Sequence, residues 1–118
     1  MDEIEIRIDE APSGIQVLHI TGPLTVKTVF DFQQVARAER PKNGRIVVLS
    51  GVPYMDSAGL GALLEAYASA QRHQLKFALA DVPSRLLTVL RVAKVDSLVP
   101  HFESVEAATL HVAEGPSA

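Results

Sequence analysis

One serine stands in a setting that could carry chemistry. Ser57 lies in the hexapeptide DSAGLG, residues 56–61, with an aspartate before it and Gly59 and Gly61 after it. An apolar run ends just before this segment, and a helical pattern begins within it. A serine at such a junction could act as a nucleophile, lie in a helix cap, or accept a phosphate. These uses need different neighbours, so the surrounding residues distinguish them.

The enzyme interpretation needs a further glycine and a base. A nucleophilic serine on a strand-to-helix turn has the pattern G-x-S-x-G, with a histidine or another base within reach. Gly59 fits the second glycine, but Met55 stands in place of the first. None of the four histidines has a local signature that ties it to Ser57. We therefore expect that the chain is not an enzyme, and a hydrolase is the least favoured alternative.

Cofactor and metal sites are also disfavoured. The segment around the two glycines lacks the G-x-x-x-x-G-K-[ST] order of a phosphate-binding loop and the third glycine of a dinucleotide fingerprint. The chain has no cysteine, and no histidine has a second ligand one turn away on a predicted helix. We expect neither a cofactor nor a metal ion to bind.

Helix capping is the simplest structural role for this segment. Asp56 is a good N-cap residue, because its carboxylate accepts backbone N–H groups and suits the positive end of a helix. The two glycines are harder to explain, since each costs a helix about 1 kcal/mol relative to alanine. Two explanations remain open: tight packing of the helix on the sheet, or close approach of a partner protein or of an enzyme that modifies Ser57.

A phosphate on Ser57 would act mainly on association. It would carry a charge of roughly −1.5 to −2 at a helix N-terminus, which favours anions. The local stabilisation is about 0.3–1 kcal/mol and is partly cancelled by the neighbouring Asp56. The fold should tolerate the group, whereas a partner packed on the same spot would meet a bulky dianion. The sequence therefore favours an association switch over a folding switch.

The elements that hold this segment follow from apolar patterns. The alternating segment IEIRID predicts a strand, and a turn pairs it with a second strand, IQVLHIT. The continuous run RIVVLS predicts a central strand that is covered on both faces. A helix is expected from Ser57 to about His73. An earlier helix is expected from Val26 to about Glu39, with Val26, Val29, Phe30 and Ala36 at helical spacing.

The rest of the chain continues the alternation. We predict a strand LKFALAD, a helix with Ser84 as its N-cap, a short edge strand in SLVPHF, and a closing helix SVEAATLHVA. Helices between strands mean crossover connections and a partly parallel sheet. The sequence predicts one α/β domain over residues 1–113 and a loose tail at 114–118.

Composition narrows the classes of partner. The chain has 118 residues, a net charge of −3 and 47% hydrophobic residues, so we expect a globular domain without the basic face that nucleic acid requires. The acidic, alternating N-terminus is not a secretory signal, and no apolar stretch is long enough for membrane insertion. We expect a cytoplasmic protein. An edge strand near Ile4 or Phe102 could pair with a second copy as a weak homodimer.

The central segment, RIVVLSGVPYMDSAGLGALLEAY, resembles the signature segment of STAS domains, specifically the bacterial anti-sigma factor antagonists. The resemblance extends to IQVLHITGPLT and to KFALADVPSRLLTVLRVAKVDSLVPHF, and so covers nearly the whole chain. It implies a single STAS domain with a mixed, partly parallel sheet of four to five strands and about four α-helices.

The resemblance also implies a function. In this family the unphosphorylated antagonist binds an anti-sigma factor that is also a serine kinase, and this binding frees the sigma factor. The kinase then phosphorylates the serine that corresponds to Ser57, and a phosphatase resets the cycle; ATP belongs to the kinase. The partner-binding residues implied in this chain are Thr25, Asp56, Ser57, Ala58, Gly59, Leu60, Gly61 and Ala62.

Two departures from the family pattern accompany the resemblance. The common segment GELD is GPLT here, so Pro23 and Thr25 replace its two acids. The common LDLSG is VVLSG, so Val48 replaces an aspartate. The alternative function is that of a STAS subunit or scaffold in another assembly, such as a lipid transporter or a stress-signalling complex, without a sigma factor.

Overall fold

The first two strands form the hairpin that their alternating pattern predicts. The computed structural model describes residues 3–11 and 13–113, and β1 (Glu5–Glu10) pairs antiparallel with β2 (Ile15–Thr21). The remaining elements are α1 (Val29–Ala38), β3 (Gly44–Gly51), α2 (Ser57–Arg72), β4 (Lys76–Ala80), α3 (Ser84–Val92), β5 (His101–Phe102) and α4 (Val105–Ala113). The tail expected at 114–118 lies outside the described residues.

The central strand organises the sheet. β3 pairs in parallel with β2 on one side and with β4 on the other, and β5 extends β4 in parallel, so the order is β1-β2-β3-β4-β5. Residues 44–49 of β3 are all buried, as its continuous apolar run predicts. The predicted α/β fold, with its mixed sheet of four to five strands and about four helices, is confirmed.

Each face of the sheet is covered by helices. On one face, Val47 and Leu49 of β3 pack in a cluster that also contains buried residues of α1, α2 and α3. On the other face, Ile46 and Val48 pack in a second cluster, with Ala108 of α4. Val48, at the position of the family's usual aspartate, is therefore part of the apolar layer beneath α4. None of the helices in the described part of the chain is long and apolar enough to span a membrane.

The first helix begins later than predicted. A turn occupies residues 25–28, and α1 starts at Val29 instead of Val26. The Thr28 hydroxyl holds this turn, because its Oγ1 donates to the Pro23 carbonyl at 2.8 Å and accepts from the Thr25 amide at 2.9 Å. Such local side-chain bonds compete with helical ones and delay the first helical turn.

The late start changes which residues of α1 are buried. Phe32 is fully buried in the core, whereas Val26 and Phe30 are 69% and 61% exposed. The predicted apolar stripe through Val26 and Phe30 was wrong. It extended helical spacing into a segment that forms a turn, and it left out Phe32.

The third helix also differs in its cap. Ser84 is its first residue, and Pro83 takes the N-cap position without a side-chain capping bond. The predicted capping role of Ser84 was wrong. Ser84 is instead an exposed serine in the first turn of a helix, as Ser57 is in α2.

Replacing Phe32 should destabilise the fold, while the same change at Phe30 should not. Phe32→Ala leaves a cavity under α1 and should lower the free energy of unfolding by about 3–5 kcal/mol. Phe30→Ala removes an exposed ring and should change it by less than about 0.5 kcal/mol. Urea denaturation of both variants checks this, and equal losses would contradict the observed burial of α1.

Candidate functional site

The DSAGLG segment lies where two parallel strands end. β2 leads into the turn at 22–28 and β3 leads into the loop at 52–56, so both loops lie at the same edge of the sheet. Backbone bonds join them: the Leu24 amide donates to the Tyr54 carbonyl at 3.1 Å, and the Asp56 amide to the Leu24 carbonyl at 3.3 Å. Leu24 and Met55 form an isolated parallel bridge. The position of Ser57 is therefore set by a paired backbone.

Asp56 caps α2 and holds the turn as well. Its Oδ1 accepts from the Gly59 amide at 2.9 Å, and its Oδ2 accepts from the Val26 amide at 3.0 Å. The backbone of Asp56 is extended, as an N-cap residue requires. The bonds from the Gly59 and Val26 amides hold the pKa of this carboxyl below its ordinary value.

The two glycines have different reasons to be present. A Cβ added at Gly59 would overlap the carbonyl oxygen of Leu24 and lie 2.9 Å from Cγ of Met55, so the turn can pack here only on a glycine. A Cβ at Gly61 would meet nothing within 4 Å. Packing of the chain on itself accounts for Gly59, while Gly61 is exposed and has no such explanation in the fold.

Exposure divides the expected partner-binding residues into two groups. Ser57 and Gly61 are exposed; Asp56, Ala58 and Leu60 are half-buried. The remaining three residues are buried: Thr25, Gly59 and Ala62. Burial indicates that these three support the site from within the fold, and their contact with a partner stays a prediction.

Thr25 is directed into its own turn. Its Oγ1 accepts from the Lys27 amide at 3.3 Å, and its carbonyl accepts from the Thr28 and Val29 amides at 2.9 Å each. Among the hydrogen bonds of the described residues, none joins Thr25 to Ser57. Thr25 therefore shapes the turn that carries Val26 to Asp56.

Three exposed apolar side chains lie on the segments that adjoin the serine, and the helical pattern did not predict their exposure. Val26, Phe30 and Tyr54 are 69%, 61% and 47% exposed. Val26 is bonded to Asp56, Tyr54 lies two residues before Asp56, and Phe30 lies in the first turn of α1. We call Val26, Phe30, Tyr54 and Ser57 the rim. If the segment from GPLT to Thr28 is assigned to a turn, the helical pattern begins after Val26. That assignment would have predicted the rim from the sequence.

Each of the four histidines contacts a group other than Ser57. His73 contacts the Ser69 carbonyl, His101 the Asp96 carbonyl, and His19 the carboxylate of Asp9. His111 stacks against the ring of Phe102. Within residues 3–11 and 13–113, no three His, Asp or Glu side chains are grouped as metal ligands. The arrangement around Ser57 offers an exposed hydroxyl on a fixed backbone.

Comparison with known protein families identifies the family of this chain. Residues 7–108 match the family model described as the STAS domain. Among curated proteins, none matches the chain.

Solved structures share the fold at low sequence identity. An anti-sigma factor antagonist from Mycobacterium paratuberculosis is 19% identical with a TM-score of 0.81, covering 94% of this chain and 95% of that one. The antagonist SpoIIAA in its unphosphorylated form is 14% identical with a TM-score of 0.73, covering 91% and 96%. The murine Solute Carrier 26 family member A9 anion transporter is 13% identical with a TM-score of 0.75, covering 98% of this chain but 23% of that one.

The two glycines should respond oppositely to alanine. Gly59→Ala should lower the free energy of unfolding by on the order of 1–3 kcal/mol, because the Leu24 carbonyl must move. Gly61→Ala should raise it by about 0.5–1 kcal/mol, because alanine favours the helix and meets no obstacle. Chemical denaturation measures both, and a destabilised Gly61→Ala variant would show that this surface is more crowded than the structure indicates.

Asp56 should give the fold a pH dependence in acid. Its pKa is lower in the folded than in the unfolded chain, so its stabilising effect is complete above the unfolded value of about 3.9 and is lost as the pH falls through the folded value. Asp56→Asn keeps one acceptor but loses the second bond and the charge. The variant should melt below the wild type at pH 7, and the difference in Tm should shrink in acid. A difference that stays constant with pH would contradict this role.

Proposed function

The chain belongs to the STAS domain family, and we propose that it is an anti-sigma factor antagonist whose binding is switched off by phosphorylation of Ser57. The observation that carries the proposal is the setting of this serine. Ser57 is exposed in the first turn of α2, while Asp56 and Gly59 fix the backbone on either side of it. The likeness in fold to anti-sigma factor antagonists supports the proposal.

The proposed partner is an anti-sigma factor with serine kinase activity. Such a partner must bind the unmodified rim and also reach the Ser57 hydroxyl, and the exposure of both is compatible with this. Val26, Phe30 and Tyr54 supply apolar contact area beside the serine. Gly61, open to solvent on α2, lets another backbone approach closely.

A phosphate would act on the complex and leave the fold in place. At the first turn of α2 the helix N-terminus favours an anion, while the carboxylate of Asp56 opposes it. Inside an interface, the same group would have to lose water next to the apolar side chains of the rim, which is strongly unfavourable without a cationic partner. Dissociation follows, and a phosphatase that removes the group restores binding.

The proposed protein has no catalytic step of its own. Each described histidine makes its contact with a group other than Ser57, and the neighbouring Asp56 carboxylate is bonded to the Gly59 and Val26 amides, so the proposal assigns no general base to the hydroxyl. ATP and the chemistry of phosphoryl transfer belong to the kinase. We propose that the protein acts in the cytoplasm, where its partners are.

A second candidate is a STAS subunit or scaffold of another assembly, without a sigma factor. The observation that favours it is the fold shared with part of the murine anion transporter. Pro23 and Thr25, which replace two acids of the common antagonist pattern, leave this candidate open. In that case the rim would be a permanent docking surface and Ser57 would remain unmodified.

Phosphorylation of Ser57 can be tested with a matched serine. Incubation with ATP and a cognate anti-sigma factor kinase should add one phosphoryl group to the wild type and to Ser84→Ala, but none to Ser57→Ala, as read by mass spectrometry. Ser84 is the control because it is also an exposed serine in the first turn of a helix.

A negative charge at position 57 should weaken binding to the anti-sigma factor. Ser57→Asp should weaken binding to the anti-sigma factor at least about tenfold, because it places a carboxylate in the interface, whereas Ser84→Asp should not. Calorimetric titration measures both. A chain that neither binds nor is phosphorylated by its genomic neighbour kinases would exclude the antagonist and leave the second candidate.

A further inference from the structure

A cavity of about 120 Å³ lies between α1 and α2, away from the rim. Its apolar lining includes Phe32, Ala36, Ala66 and Leu75. Ser69, which also lines it, is twelve residues after Ser57 on the same helix, or roughly 18 Å along the axis. The lining also includes Ala62, five residues after Ser57, but it includes none of the four rim residues.

One buried cation lines this cavity. Arg45, near the start of β3, is only 7% exposed, and burial lowers the pKa of its guanidinium. Nε donates to Oε1 of Gln16 at 2.7 Å, Nη1 to the Ala36 carbonyl at 3.2 Å, and Nη2 to the Glu39 carbonyl. A guanidinium has five N–H groups, so these three bonds leave two without a partner among the described residues.

The charge of Arg45 has no directly paired acid. In the part of the chain that the structure describes, no carboxylate lies within 4 Å of its guanidinium; Glu39 favours the charged form from further away. Glu65, the acid that lines the cavity, is paired with Arg72 at 2.9 Å. A buried charge of this kind is costly unless an anion accompanies it.

The mouth of the cavity is also cationic. Arg37 and Arg40 line it, in a chain whose net charge is −3. His73 lines it as well, and its Nδ1 contacts the Ser69 carbonyl at 2.8 Å, which leaves Nε2 for another partner. The local charge therefore attracts an anion, while Phe32, Ala66 and Leu75 give the cavity an apolar part.

We propose that this cavity binds a small carboxylate with an apolar body, and that Arg45 holds the carboxylate group. An enclosed cavity of about 150 Å³ accommodates benzene, so the volume of about 120 Å³ holds at most a short alkyl chain or most of one ring, with the rest at the open side. The two remaining N–H groups of Arg45, one on Nη1 and one on Nη2, are the donors that the proposal assigns to the carboxylate oxygens. Phe32 and the alanines around it suit the apolar body and disfavour a highly hydrated dianion such as free phosphate.

Benzoate and its neutral analogue benzamide provide the test. Titration of the ¹⁵N-labelled full chain with benzoate should shift the amide resonances of the cavity residues in α1 and α2, and benzamide should bind at least about tenfold more weakly because it lacks the charge. Benzoate should also raise Tm, since it binds only the folded chain. Equal binding of both compounds, or benzoate shifts that avoid the cavity residues, would overturn the proposal.

Variants that fill the cavity complete the test without removing Arg45, whose bonds also support α1. Ala66→Leu occupies the cavity and should abolish the benzoate shifts, whereas Ala68→Leu, on the same helix but outside the lining, should retain them. Ser69→Leu provides a second filled variant if Ala66→Leu does not fold, as judged by its Tm and amide spectrum. Unchanged benzoate affinity in a folded, filled variant would overturn the assignment.

Discussion

The structure around the serine depends on the close contact between the backbone of the β2–α1 turn and Gly59. At this point the Leu24 carbonyl occupies the space that any other residue at 59 would need for its Cβ. The contact brings the turn close enough for Asp56 to accept from both Val26 and Gly59. Those bonds define the first turn of α2 and therefore the place of Ser57. A parallel arrangement of β2 and β3 is the precondition, because it brings both loops to one edge of the sheet.

Much of this architecture could be predicted from local patterns. The continuous apolar run of β3 predicts a strand covered on both faces, and Asp56 before a helical pattern predicts an N-cap. These features are set by neighbours in sequence. The roles of Gly59 and Gly61 could not be separated in this way, because the obstacle that distinguishes them is Leu24, thirty-five residues before the first of them.

Contacts between residues that are distant in sequence, or between side chain and backbone, also explain the other differences between the predicted and the observed structure. The start of α1 depends on hydroxyl bonds of Thr28 within its turn, and periodicity alone extended the helix through Val26. Arg45 lies within the apolar pattern of β3 and gives no sign in sequence that it ends beneath the C-terminus of α1. The burial of Arg45 and the exposure of the rim both depend on how the helices and strands pack together. Both proposals rest on these two features, and neither feature follows from local sequence patterns.

The bonds that join the turn to the segment before α2 use main-chain atoms of the turn: the amide and carbonyl of Leu24 and the amide of Val26. Main-chain atoms are the same whatever side chains flank them. Pro23 and Thr25, which replace the acids of the GELD pattern, therefore leave these bonds to Tyr54 and Asp56 in place. The exposed side chain of Val26 can likewise change without altering the bond that its amide donates to Asp56, so the surface beside α2 can vary while the serine keeps its place.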